Sequence, residues 1–389
     1  MKGLIITAAL MTLMAVTAKP GWAGERTDFE AVQAIMDTAA PRIMKKHGIP
    51  GLALAVTVDG QRRFYNYGVA SKTGGEPVTG ETLFEIGSIS KTFTALMAAK
   101  AQAEGRLSLS GPVSQCLTTL QGGAFDQITL ENLATQTSGL PLFLSGEIKT
   151  RPHFLKFCAD WKPPFPAGAQ RVYSNPGIAL LGLATAEGTG DTFAGLAEKG
   201  LFPELGLTGV YINIPDEKKK DYARGYDKKN NPARLRPNVL AEEAYAVKAS
   251  TTGLIEYLEA YMGLKELNPE LRKALDETMI GRYEVGGMHQ ALVWEYYKPG
   301  AGLTVMLRGG SDDLIYKPNP VTRLPKAGEP DREAVYNKTG STAGFAGYAV
   351  FVPARRTGLV LLSNRPFPIE ARVRLAYEVL TVLKAIPAE

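Results

Sequence analysis

The order of apolar and polar positions divides the chain into two strand-rich ends and a helical middle. Phe29, Val32, Ile35, Met36, Ala39 and Ile43 recur at helical spacing, with Thr27 and Glu30 placed as a capping box and His47-Gly48 as the exit. Two strand-like runs follow, Leu52 to Val58 and Gln61 to Tyr67. Asp59-Gly60 lies between them, a dipeptide suited to a tight hairpin turn. A weaker turn at Gly74-Gly75 leads to Leu83-Phe84-Glu85-Ile86. From Ser88 to Glu104 the chain then runs in helix formers and apolar residues, with Gly105 as a C-cap. A helix apolar around most of its circumference is a buried one.

Between Arg106 and Gln170 short helical stretches are broken by glycine and proline. Leu130 to Thr137 closes at Ser138-Gly139-Leu140-Pro141, and Phe154 to Trp161 stops at Lys162-Pro163-Pro164. At Arg171-Val172-Tyr173-Ser174-Asn175-Pro176-Gly177, Pro176 biases Asn175 away from helix and Gly177 opens a helix through Leu183. Asn213 to Lys248 reads as a long polar surface loop, with Tyr245 near its end and helices at Gly253 to Tyr261 and Asn268 to Met279 beyond it. Strands are expected at Met288 to Glu295, at Gly302 to Arg308, and from Ala334 through Asn337 to Ser341. A hairpin joins Tyr348 to Val352 with Gly358 to Ser363. The closing helix starts near Pro368 and turns Val373, Ala376, Val379, Leu380 and Leu383 inward.

Composition changes this picture little. The 389 residues are 45% hydrophobic and 21% charged, and the net charge of +5 is dispersed. No basic stripe with interleaved aromatics exists, so nucleic acid is not an expected partner. His47, His153 and His289 stand apart without metal-ligand spacing, which disfavours a zinc hydrolase and leaves no metal site. The beginning is more informative. Lys2, the apolar run Gly3 to Ala18 and the exit Lys19-Pro20-Gly21-Trp22-Ala23 read as a secretory signal over residues 1–23. That apolar run is short for a membrane anchor, so export without stable membrane association is expected. Cys116 and Cys158 leave a disulfide and two free thiols as open alternatives.

Candidate chemistry begins at Ser88 and Lys91. Three residues apart on one helical face, they set a hydroxyl beside an amine at a helix N-terminus, where developing negative charge is favoured. Alone, Ser-x-x-Lys also suits an N-cap and a first-turn lysine. Tyr173 and Asn175 sit on a turn before a packed helix, and Lys338-Thr339-Gly340 sits on a strand where a glycine admits close approach. A lysine and a threonine hydroxyl there suit a carboxylate. Each motif is weak by itself. Together and in this order they match the trio of penicillin-recognising serine enzymes, with Tyr173-Ser174-Asn175 in the middle place.

That middle motif makes the chain resemble class C (AmpC-type) serine β-lactamases. Gly87 to Thr94, Arg171 to Asn175, Ala244 to Lys248 and Lys338 to Phe345 are all similar to segments of that family. The resemblance implies a mixed α/β fold of the α+β type: a largely antiparallel sheet flanked by helices, with a helical lobe beside it. The expected division is 1–23 signal, 24–86 with 290–389 sheet domain, and 87–289 helical lobe. It also implies a periplasmic, monomeric enzyme of a Gram-negative cell that hydrolyses small-molecule β-lactams without a cofactor. Ser88 would be the nucleophile, with Lys91, Tyr173 and Lys338 moving its proton and the backbone N–H groups of Ser88 and Ser341 binding the oxyanion. Asn175 would bond the substrate amide and Lys91. Thr339, Gly340 and Ser341 would flank the substrate, Tyr245 and Phe143 would wall the site, and Arg372 would act from farther off. Phe143, Asn337 and Ile369 depart from residues frequent in the family and bear on the substrate spectrum. The rival expectations are a D-alanyl-D-alanine carboxypeptidase or esterase of the same fold, and a sensor that is acylated without turnover.

Overall fold

Leu52, Leu54 and Val56 of the first strand join one apolar core, and Ala53 and Ala55 join a second. Successive strand side chains point to opposite faces, so this strand is buried on both and its run Gly51–Val58 is almost wholly apolar. The computed structural model describes residues 28–236, 238–325 and 328–388. The expected signal, residues 1–23, lies outside the described residues, as does Thr27.

Nine strands form the main sheet: β1 (Gly51–Val58), β2 (Gln61–Gly68), β3 (Tyr283–Val285), β4 (Met288–Gln290), β5 (Glu295–Tyr297), β6 (Thr322–Arg323), β7 (Val335–Ser341), β8 (Ala346–Val352) and β9 (Thr357–Ser363). Their order is β6-β3-β4-β5-β7-β8-β9-β1-β2, antiparallel throughout. The β1–β2 turn is the expected one: Asp59 and Gly60 take φ of 50° and 83°. The principal helices are α1 (Phe29–His47), α2 (Ser90–Ala103), α3 (Asn175–Thr189), α4 (Ala241–Ala244), α5 (Thr251–Tyr261), α6 (Pro269–Met279), α7 (Leu303–Gly309) and α8 (Ile369–Val382). One face of the sheet carries α1 and α8 over a core that includes Met36, Leu54, Val350, Leu361 and Leu380. The other carries α5, and beyond it the helical part built around α2. From Ser90 to Ala101 every α2 residue except Lys100 is buried, between α6 and α3. That is the burial expected of its sequence.

Several expectations shift. The N-cap of α1 is Asp28, whose side chain accepts from Ala31 N, because a cap must precede the first helical N–H groups directly. The helix from Leu130 ends at Ala134. Asn175 is helical after all: Ser174 caps α3 by accepting from Gly177 N, and Pro176 lies in the first turn, where its missing N–H costs nothing. The strand expected over Met288 to Glu295 is two strands. Val293, at φ of 67°, turns the chain between them and its N–H donates to Ala134 O. Leu303–Gly309 is a helix packed on α8, where burial of Met306 outweighs the strand preference of a β-branched stretch. The sheet already begins at Tyr283, ahead of the boundary expected at 290, because β3 and β4 pair as its far hairpin. Cys116 and Cys158 are free thiols, the second buried. Among the described residues no helix is long and apolar enough to cross a membrane.

Candidate active site

Two backbone segments meet closely where the site forms. A three-residue 3-10 turn, Gly87–Ile89, runs directly into α2 and carries Ser88. The end of β7 lies against it. A Cβ on Gly340 would sit 1.9 Å from Ile86 O, and one on Gly87 would sit 2.5 Å from Ser341 N. Gly87 also takes φ of 53°, so glycine is required there twice over. This contact brings the backbone of Ser341 beside Ser88.

Ser88 and Lys91 face one another across the first turn, and Lys91 Nζ donates to Ser88 Oγ at 2.9 Å. The lysine is fully buried beneath the serine. Its second acceptor is Ala244 O at 2.9 Å, rather than Asn175 as expected. Tyr173 reaches the pair from the turn before α3. That turn hangs on Gln136, which stands at φ of 62°. Its main-chain oxygen accepts from Val172 N at 2.8 Å and its side-chain oxygen accepts from Ser174 N at 2.7 Å. Lys338 Nζ lies 5.0 Å from the centre of the Tyr173 ring and Lys91 Nζ lies 5.4 Å from it.

Burial alone pushes the Tyr173 hydroxyl up, because a phenolate loses its hydration. The Lys338 and Lys91 ammoniums and contact with the Ser88 hydroxyl together outweigh that, so its pKa lies below the ordinary phenol value. At an effective dielectric near 20, each full charge about 5 Å away contributes on the order of 3 kcal/mol, enough for two ammoniums to win. Burial brings Lys91 down to about 8, and the Lys338 charge adds to the effect while Tyr173 and Glu295 oppose it.

A buried chain of charges supports Lys338. Its ammonium is 3.5 Å from Glu295 Oε1, and the same oxygen accepts from Arg171 Nη2 at 2.7 Å. Arg171 also donates to Gln290 Oε1 at 2.8 Å and to Leu314 O at 2.6 Å. The guanidinium two residues before Tyr173 thus ties its turn to β4, β5 and α7's neighbourhood. Glu295, Gln290 and the Ala244 carbonyl were not singled out from sequence. A strand glutamate and a backbone oxygen carry no local signal of such a role.

The cleft above Ser88 holds about 500 Å³. Tyr173, Asn175, Tyr245, Phe143, Lys338, Thr339, Gly340 and Ser341 all line it. Phe143 and Tyr316, 66% and 64% exposed, flank its mouth with Ile315 and Ile369, a more apolar rim than the motifs alone suggest. Arg372 stands elsewhere. It is buried behind β7, where it donates to Gly340 O and Gly347 O at 2.8 Å and to Ser341 Oγ at 3.1 Å. Its expected influence on a ligand therefore runs through the strand.

The beta-lactamase family model matches residues 33–384. The chain belongs to the beta-lactamase family. It is 41% identical over 352 residues to a beta-lactamase of Providencia stuartii, covering 90% of this chain and 92% of the relative. A beta-lactamase/D-alanine carboxypeptidase from Pseudomonas syringae superposes with a TM-score of 0.88 at 40% identity, over 90% of this chain and 99% of the other. A class C beta-lactamase solved with cefoxitin gives 0.88 at 38%, over 91% and 99%. Fold and sequence together make the chain a class C member and a serine hydrolase, with the antiparallel sheet and flanking helices that its motifs imply.

Proposed function

We propose that the chain hydrolyses the lactam amide of β-lactams, cephalosporins included, through an acyl-enzyme on Ser88. The observation that carries this reading is the 2.9 Å contact between Lys91 Nζ and Ser88 Oγ beside a phenol held by two ammoniums. Ser88 Oγ attacks the lactam carbonyl carbon while its proton passes to the Lys91–Tyr173 pair. The Ser88 and Ser341 N–H groups take the oxyanion. Collapse breaks the C–N bond, and the pair returns the proton to the departing nitrogen. Water then adds to the ester carbonyl as the pair again accepts a proton, and collapse of that adduct breaks the C–O bond while the pair returns the proton to Ser88 Oγ. The two groups interact strongly enough that the proton belongs to the pair. No metal or organic cofactor enters these steps.

Asn175 is assigned the substrate's side-chain amide, and Lys338 with Thr339 its carboxylate. Tyr245 and Phe143 are assigned the walls, and Gly340 the room for close approach. Arg372 holds Gly340 and Ser341 in place from behind. Export ahead of residue 24, a periplasmic location, action as a monomer and a division into sheet and helical units belong to the same proposal. A carboxypeptidase activity is the second reading, favoured by the double name of the Pseudomonas syringae neighbour.

Hydrolysis of a chromogenic cephalosporin by the mature protein tests the proposal, with intact-mass spectrometry alongside. Rapid turnover without lasting mass gain is expected. A stable adduct on Ser88 with little turnover would transfer the case to the peptidase or sensor. A second prediction concerns the meeting of the two segments. Gly340→Ala places a methyl against Ile86 O and pushes Ser341 N–H away from Ser88. The expected loss in kcat is roughly 10²–10³, the worth of one oxyanion donor, with the circular dichroism of the fold retained.

A further inference from the structure

A second cavity of about 470 Å³ adjoins the cleft, sharing Leu235 and Asn238 with it, and has Glu243 and Arg151 on its wall. The Glu243 side chain is 2% exposed, and its Oε1 accepts from Arg151 Nη2 at 3.1 Å, while Arg151 itself is 52% exposed. The glutamate sits in a notch made by a glycine: a Cβ on Gly182 of α3 would lie 2.6 Å from Glu243 Cγ. A buried carboxylate whose ion-pair partner is half-exposed is poor material for stability.

The same segment is laced to α2 by its main chain. Thr94 Oγ1 donates to Glu243 O, Lys91 Nζ donates to Ala244 O at 2.9 Å, and Val247 N donates to Ser90 Oγ at 3.1 Å. Residues 243–247 are therefore a strap across the face of α2 that carries Lys91. The Ala244 carbonyl gives the lysine a second acceptor beside Ser88 Oγ.

We propose that Glu243 is a positioning residue, whose carboxylate, held by Arg151, anchors this strap and so sets the place of the Lys91 ammonium against Ser88. The inference rests on the role given to Lys91 above. The charged and titratable groups facing Glu243 are Lys149 and Arg151, at the start of the helix Arg151–Ala159, Glu242 and Tyr245 from its own segment, and Lys248 beyond them. Burial pushes the Glu243 carboxyl up to about 7, with its own main-chain N–H and then Arg151 opposing and Glu242 adding. Below that pH the carboxyl is neutral and the ion pair is gone. Above it the pair forms, but the ionised group is the less stable one in its buried place, so folding stability falls as pH rises from the ordinary carboxyl range through 7. Activity and stability thus move in opposite directions across the same interval.

The test is kcat and KM for a chromogenic cephalosporin between pH 5.5 and 9, on wild type, Glu243→Gln and Arg151→Ala, with melting temperatures and with Ser88→Ala alongside. Glu243→Gln should lower kcat at pH 8 on the order of 10- to 100-fold, the scale of a small misplacement of a reacting group. KM should stay within a few-fold, and the part of the acid limb of the kcat profile that centres near 7 should vanish, leaving only the part set by the Lys91–Tyr173 pair. Its melting temperature at pH 8 should be no lower than that of wild type, whereas a merely structural role would lower it. Arg151→Ala removes an exposed side chain and leaves the carboxylate alone, so its acid limb should move to higher pH. An unchanged profile in Glu243→Gln, or an unmoved limb in Arg151→Ala, overturns the inference. If turnover survives Ser88→Ala, the reading of the site fails and takes this inference with it. If turnover needs Ser88 but the other profiles match wild type, only the role of Glu243 falls.

Discussion

Ser88→Ala is expected to reduce β-lactam hydrolysis by roughly 10⁵–10⁶ in kcat, the loss seen when a nucleophile is removed from a preorganised serine site. The effect should be confined to chemistry. Ser88 Oγ accepts from Lys91, and the lysine retains its bond to the Ala244 carbonyl when the hydroxyl is gone. The Gly87–Ile89 turn is held by backbone contacts and by the neighbouring β7, so the melting temperature should change by a few degrees at most. Intact-mass spectrometry should find no acyl adduct at any incubation time, while equilibrium binding of a cephalosporin persists. Turnover at wild-type rates would place the nucleophile elsewhere and remove the acyl-enzyme from the account.

Legibility of the fold follows the range of the forces involved. The β1–β2 hairpin was visible because Asp59-Gly60 meets a local demand for positive φ. Likewise α6 and α8 are visible because their apolar spacing alone decides which face is buried, and α2 because it is apolar nearly all round. Leu303–Gly309 was misread as a strand because Val305 and its neighbours favour extension locally, and only contact with α8 makes a helix the better burial. The break at Val293 depends on a hydrogen bond to Ala134, 159 residues earlier in the sequence, and no window around residue 293 contains it.

The site divides along the same line. Ser88 with Lys91, and Lys338 through Ser341, lie within single helical or strand periods, so their mutual placement follows from spacing. Glu295 became part of the site only through the pairing of β5 with β7 and the approach of Arg171 from the helical side. Arg372 could be named from sequence, but its place behind β7 could not, since nothing local tells a helix arginine which side of a strand it will meet.

Tyr173→Phe should be the second most damaging of these substitutions. The phenol is held below its ordinary pKa because two ammoniums outweigh the penalty of burial, and that arrangement has value only to a group that gains and loses a proton. Phenylalanine keeps the ring, its contacts with both lysine side chains and the Gln136-held turn, so the cleft should keep its shape. A loss of about 10²–10⁴ in kcat is expected, the usual range for a general acid–base group, with KM altered far less. Lys91 supplies an independent readout. Tyr173 raises the lysine's pKa against burial, so its removal should move the Lys91 titration below about 8, observable by NMR of the labelled amine. An effect confined to KM, or a Lys91 titration that stays in place, would show the phenol to be a wall of the cleft with no part in moving the proton.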